Sequence, residues 1–170
     1  MPSRALNQLS DLFFAIAEAI QAAGLGVVVG NYDEFDGKVR DATVLIEIER
    51  TSPGVKQNDG RYAHQVTVTL HAVIARWRKH SVLEAANLAT AIERLADSNR
   101  WGLPGNQCDL PVDLHSAPSM FQRGDDGYEA WACSFRQGIS LGPPRTMPET
   151  FWPQPSETAE TWQIETPTDA

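Results

Sequence analysis

The segment "YAHQVTVTLHAVIARW", residues 62–77, changes character at almost every step. Val66, Val68, Leu70 and Ile74 fall on one parity, and Thr67, Thr69, His71 and Val73 on the other. A helix repeats every 3.6 residues and would scatter these groups around its circumference, whereas a strand sorts them onto two faces. Two further segments keep the same period. "DATVLIEIER" sets Val44, Ile46 and Ile48 against Leu45, Glu47 and Glu49. "YEAWACSFRQGISLG" sets Trp131, Cys133, Phe135, Gln137, Ile139 and Leu141 against Ala130, Ala132, Ser134, Arg136 and Gly138. Three long strands of this kind commit the chain to a sheet.

The remaining elements are shorter or helical. Leu6, Leu9, Phe13, Ile16 and Ile20 recur at steps of three and four, widened by Leu12, and predict a helix that stops at Gly24. "LGVVVG" reads as a short buried strand and "NYDEFDGK" as a turn. A second helix lies in "SVLEAANLATAIERLAD", with Ser81 and Glu84 at capping-box spacing and Ala85, Leu88, Ile92 and Leu95 as its buried stripe. "VDLHSAPSMFQ" is interrupted by proline and belongs at a sheet edge. The expected fold is therefore α+β, in the order α-β-β-β-α-β-β. It is a mostly antiparallel sheet of about five strands with two helices packed on one face. This domain spans residues 1–142, and a Pro/Glu-rich C-terminal arm or tail, partly disordered, spans 143–170.

Charge narrows the function. The chain carries 14 Lys and Arg against 22 Asp and Glu, a net −8, and residues 142–170 contribute one basic and five acidic groups to it. Affinity for a phosphate backbone comes from Lys and Arg displacing counterions, and "RWRKH", 76–80, is the only dense basic run. No segment approaches membrane-spanning length. The chemistry of catalysis is also missing from the pattern. There is no G-x-S-x-G elbow, no phosphate-binding glycine loop and no dinucleotide fingerprint. Cys108, Asp113 and His115 are the right residue types for zinc but lack ligand spacing, and read as polar groups of a surface loop. Cys108 and Cys133 read as reduced thiols. The expectation is a non-enzyme without cofactor or metal.

Four of the five tryptophans divide in two. Trp77 and Trp131 lie in strand segments, where a core accounts for them. Phe151, Trp152, Trp162 and Ile164 stand in a background of Pro, Glu and Thr that cannot form a core of its own. Either that arm docks onto a neighbour or the body through its aromatics, or it is a disordered tail, with disorder expected after Gln154.

The N-terminal helix, three strands, the second helix and a closing strand of the form W-x-x-x-[FW]-x-Q-x-I-x-L-G (Trp131, Phe135, Gln137, Ile139, Leu141, Gly142) together resemble the tail terminator proteins of long-tailed bacteriophages, the minor tail protein U-like or tail completion group. The resemblance covers roughly residues 4–142. It implies a structural virion protein, assembled in the bacterial host cytoplasm, that forms a ring, usually of six copies, at the head-proximal end of the tail tube. There it stops tube polymerisation and offers the head–tail joining surface. Implied partners are further copies of itself, the tail tube protein and a head-completion or connector protein, with DNA only passing through an acidic lumen and no membrane involved. On this reading the polar loop Thr51–Arg61 reaches a neighbour or the lumen. The interface candidates are Pro53, Lys56, Asn58, Asp59, Arg61, Arg136, Phe151 and Trp152. A head–tail adaptor is the alternative from a neighbouring class. A single-stranded nucleic acid binder would need aromatic and basic residues on the open sheet face, where Thr67, Thr69, Glu47 and Glu49 stand instead.

Overall fold

A computed structural model describes residues 4–145. Helix α1 spans Leu9–Ala22 and strand β1 Val28–Asn31, followed by a single 3-10 turn at Tyr32–Glu34. Strands β2 (Thr43–Pro53) and β3 (Ala63–Ala75) precede helix α2 (Ser81–Ala96), and β4 (Val112–Gln122) and β5 (Tyr128–Ser140) complete the sheet. The class is α+β, with five strands and two helices.

The expected mostly antiparallel sheet is corrected: the sheet is mixed. Its spatial order is β1-β2-β3-β5-β4, and β1 runs parallel to β2, with Val28 beside Thr43 and Asn31 beside Ile46. The reason lies in the segment read as a simple turn. Asn31 accepts the Asp33 N–H at 3.1 Å, and Asp36 accepts the Lys38 N–H at 2.9 Å. These side-chain caps hold a 3-10 turn and a second bend in succession, so residues 32–42 form a crossover instead of a hairpin. The order of elements departs from the expected one accordingly, with the 3-10 turn between the first two strands and β5 inserted in space between β3 and β4. β4 holds the edge, where Pro118 costs no ladder bond, and two register shifts bend it there.

One core lies between the sheet and both helices. Leu12, Ile16 and Ile20 of α1, Ala89 and Ile92 of α2, Val66, Val68, Leu70 and Ala72 of β3, and Cys133, Phe135 and Ile139 of β5 form a single cluster. α2 buries mainly alanines (Ala85, Ala89, Ala96) around Ile92, which lets the helix approach the strands closely. Its expected capping box is replaced. His80 precedes the helix in the left-handed region, φ 62°, its carbonyl accepts the Glu84 N–H at 3.0 Å, and the Glu84 carboxylate pairs with Arg78 at 3.0 Å. At α1 the cap is Asp11, which accepts the N–H groups of Asn7 and Gln8 at 2.9 and 3.0 Å. Those two bonds hold its carboxyl below the ordinary value of 3.8.

The other sheet face carries a second, smaller cluster. Tyr32, Phe35 and Val39 of the crossover cover Leu45, Val73 and Ala130, and Phe35 meets Tyr128 edge-on at 5.3 Å. β1, expected to be a buried strand, is an edge strand whose Val28 is 53% exposed.

Both cysteines are free and buried. Burial pushes the Cys108 thiol up to about 12 and the Cys133 thiol up to about 11, from 9.0, with the charges of Asp109 and Glu93 adding to the rise. Two pH units on a thiol mean about a hundredfold less thiolate, the reactive form. Native protein at pH 8 is expected to leave an aromatic disulfide reagent unreacted while unfolded protein titrates two thiols. Rapid labelling of the native state would contradict this burial.

Candidate functional site

The closing-strand pattern acquires a physical meaning in the structure. Gln137 is completely buried on β5. Its Oε1 accepts the Trp101 Nε1–H at 2.8 Å, and its Nε2 donates to the carbonyls of Asn99 at 3.1 Å and Asp109 at 2.8 Å. Trp101, left-handed at φ 57°, stacks on Phe135 at 5.9 Å. The long connection from α2 to β4 is thus nailed to β5 by one amide and one indole. Gln107, from the same connection, does the equivalent work at the end of the strand. Its Nε2 donates to Leu6 O at 2.7 Å, Ser140 O at 3.1 Å and Gly142 O at 3.3 Å, and its Oε1 accepts the Leu6 N–H at 3.2 Å. One buried side chain therefore joins the entry to α1, the end of β5 and the start of the C-terminal arm. Neither Trp101 nor Gln107 stands out in the sequence, because a buried amide in a loop has no periodicity to betray it.

The arm leaves the body along a defined path. Gly142 adopts φ 77°, which glycine tolerates without strain, and donates to Leu6 O at 2.9 Å. Arg145 then donates to Asp59 O at 2.9 Å, so close to Gly60 that a Cβ there would meet the Arg145 carbonyl oxygen at 2.9 Å.

The expected interface residues separate into three groups. Pro53 is not in the loop: β2 continues through it, and it pairs with His64. Pro53, Lys56 and Asn58 are exposed, whereas Arg61 is turned inward at 7% exposure, paired with Asp59 at 2.9 Å and donating to Asn106 O at 3.3 Å. Asp59 and Arg61 thus brace the loop against the body. Arg136 is exposed on the sheet face and ion-paired with Asp113 of β4. Phe151 and Trp152 lie outside the described residues.

Two surface features were not expected from the sequence. Trp77 is the first. It lies in the turn after β3, not in the strand, and is 69% exposed between Arg76 and Arg78. Arg76 reaches Glu129 at 3.4 Å. An open depression beside Trp77 is completed by Arg123, Gly124 and Asp125 of the β4–β5 turn. The second is a groove of about 790 Å³ between α1 and the β1 edge, lined by Leu9, Phe13, Phe14, Ala17, Val29 and Ile48. Phe14 is 51% exposed there and meets Phe13 edge-on at 5.5 Å.

The polar face of the sheet is internally bonded. His71, buried across the small Ala132, reaches Ser119 Oγ through Nδ1 at 3.1 Å and Glu47 Oε2 through Nε2 at 2.8 Å, with Tyr32 stacked on its ring at 4.7 Å. Thr69 bonds to Glu49 and, at 2.7 Å, to Ser134. These side chains tie β2, β3, β5 and β4 together across the face: Glu47, Glu49 and Ser134 come from strands adjacent to β3, and Ser119 comes from β4, reached over Ala132 of β5. Among the described residues, no three His, Cys, Asp or Glu side chains are grouped to hold a metal ion, and no helix is long and apolar enough to cross a membrane.

A scan against models of known protein families finds no match, and a search of curated proteins finds no relative.

Proposed function

We propose that this protein is a structural assembly factor of the tail terminator kind, a ring of copies seated on the end of a tail tube that stops its growth and presents the joining surface for the head. The observation that carries this reading is Trp77. A large aromatic held in the open and flanked by Arg76 and Arg78 is what protein interfaces use as an anchor, because it buries much area and loses little side-chain freedom. Its position suits an adaptor with two working ends. The thirteen residues of β3 separate the Trp77 turn from the loop 54–62 and the arm exit, a span of roughly 43 Å. One end would meet the tube and the other the connector. The two rims of the sheet are unlike, with Val28 exposed on the β1 side and Leu110 and Val112 towards β4, as a head-to-tail contact that closes into a ring requires. A ring of six is the expected number by resemblance.

The test is to add purified protein to growing tubes of the tail tube protein from the same source and image the ends by electron microscopy. Rings at one end and arrested length are expected, and Trp77→Ala should weaken end capping by about thirtyfold, the loss of a 2 kcal/mol anchor, without changing the unfolding midpoint. Binding to the connector side alone would instead favour the head–tail adaptor. Tubes that lengthen unchecked, with no attachment at either partner, would remove both readings.

A further inference from the structure

We propose that Phe151 and Trp152 of the chain's own C-terminal arm occupy the groove between α1 and β1. The apolar half of the groove's lining includes Phe13 and Phe14, and Phe14 leaves half its surface in water there, a cost that a partner group removes. The arm starts in the right place. Gly142 is bonded to Leu6, three residues before Leu9, the first groove residue along α1. The chain passes Asp59 at Arg145, and Phe151 lies six residues further, up to about 20 Å of extended chain.

Charge selects which part of the arm fits. Glu18 and Glu34 are among the residues that line the groove. Phe151 and Trp152 lie in an uncharged run of seven residues, 150–156, between Glu149 and Glu157, whereas Trp162 lies in a run of four, 161–164, between Glu160 and Glu165, so the carboxylates of the groove would repel the second aromatic segment more strongly. Two prolines follow Trp152 closely, and such sequences lose little freedom on docking into aromatic-lined grooves like that of Phe13 and Phe14. A further observation keeps the arm against the body at its exit. Arg61 Nε is buried beside the arm exit and has no hydrogen-bond partner among the described residues, so an acceptor from the chain beyond Arg145 would complete it. This inference stands apart from the tube-capping reading, and its test needs neither tube nor connector.

Hydrogen exchange followed by mass spectrometry on the full chain, wild type against Phe151→Ala/Trp152→Ala, reads the contact directly. Peptides covering α1 and β1 are expected to exchange at least fivefold faster in the variant, with those of β3 and β5 unchanged. Phe14→Asp, on the groove side, should give the same acceleration. The difference should persist on hundredfold dilution, as it must for a contact within one chain. Equal exchange in wild type and variant would overturn the proposal. So would a difference confined to the Trp77 turn, or one that disappears on dilution and thereby assigns the groove to a second copy.

Discussion

Replacing Gln137 by alanine is expected to lower stability by about 3–5 kcal/mol, among the largest effects any single side chain here can produce. The amide is fully buried and every one of its bonds runs to the α2–β4 connection. Removal strands the Trp101 indole N–H and the carbonyls of Asn99 and Asp109, and a buried polar group left without a partner costs about 1–3 kcal/mol. Chemical denaturation measures the total. Gln137→Leu separates the two contributions: it restores most of the volume but none of the hydrogen bonds, so it should recover less than half of the loss. A leucine variant as stable as wild type would mean that the site wants bulk and not polarity. The connection should also become sensitive to proteolysis around Asn99–Asp109 in both variants, because Gln137 is what fastens it to β5.

Gly127→Val should cost about 2–3 kcal/mol by a different route, backbone strain in the β4–β5 turn. A Cβ on Gly127 would press into the carbonyl oxygen of Gln122 and sit 2.8 Å from that residue's carbonyl carbon and 3.0 Å from the carbonyl carbon of Arg123. These are backbone atoms and cannot rotate aside. The turn would open, and with it the bonds from Gly127 N–H to Gly124 O at 3.0 Å and from Arg76 N–H to Gly127 O at 2.9 Å. Because Arg76 and Arg123 border Trp77, the same change should disturb the proposed anchor and reduce tube capping beyond what the stability loss explains. Gly124→Val strains the same turn by another route, because nothing lies within 4 Å of the added Cβ but its φ of 104° is one that a β-branched residue rarely adopts. Faster amide exchange at Arg76 in the Gly127 variant alone is the expected signature.

The two effects show where the sequence was readable. Alternation placed Val66, Val68 and Leu70 on the core side, and a 3.6-residue period did the same for Ile16, Ile20 and Ile92, because burial of apolar area acts on every turn and every second residue alike. Proline correctly put β4 at an edge. The parallel pairing of β1 was not readable, since periodicity reports which face a residue occupies and carries no information on strand direction. The Asp-Gly signal in the crossover was real, but a turn is compatible with a hairpin and with a crossover alike. Trp77 was misplaced for a related reason: an aromatic continuing an alternating run looks buried until the turn that carries it is seen to leave the sheet.

What the amino-acid order determined by itself is the set of local states: two amphipathic helices, three long strands with assigned faces, and a chain turned out of the sheet by Gly142 and the prolines after it. Each follows from interactions between residues a few positions apart. Only the tertiary structure decided the rest. Strand direction, the fastening of a loop by Gln137 and Gln107, the inward turn of Arg61 and the groove left open beside Phe14 depend on groups far apart in the chain meeting in space. A hydrogen bond between residues 101 and 137 leaves no periodic trace, because its partners are chosen by the packing of the whole sheet and not by their neighbours in sequence.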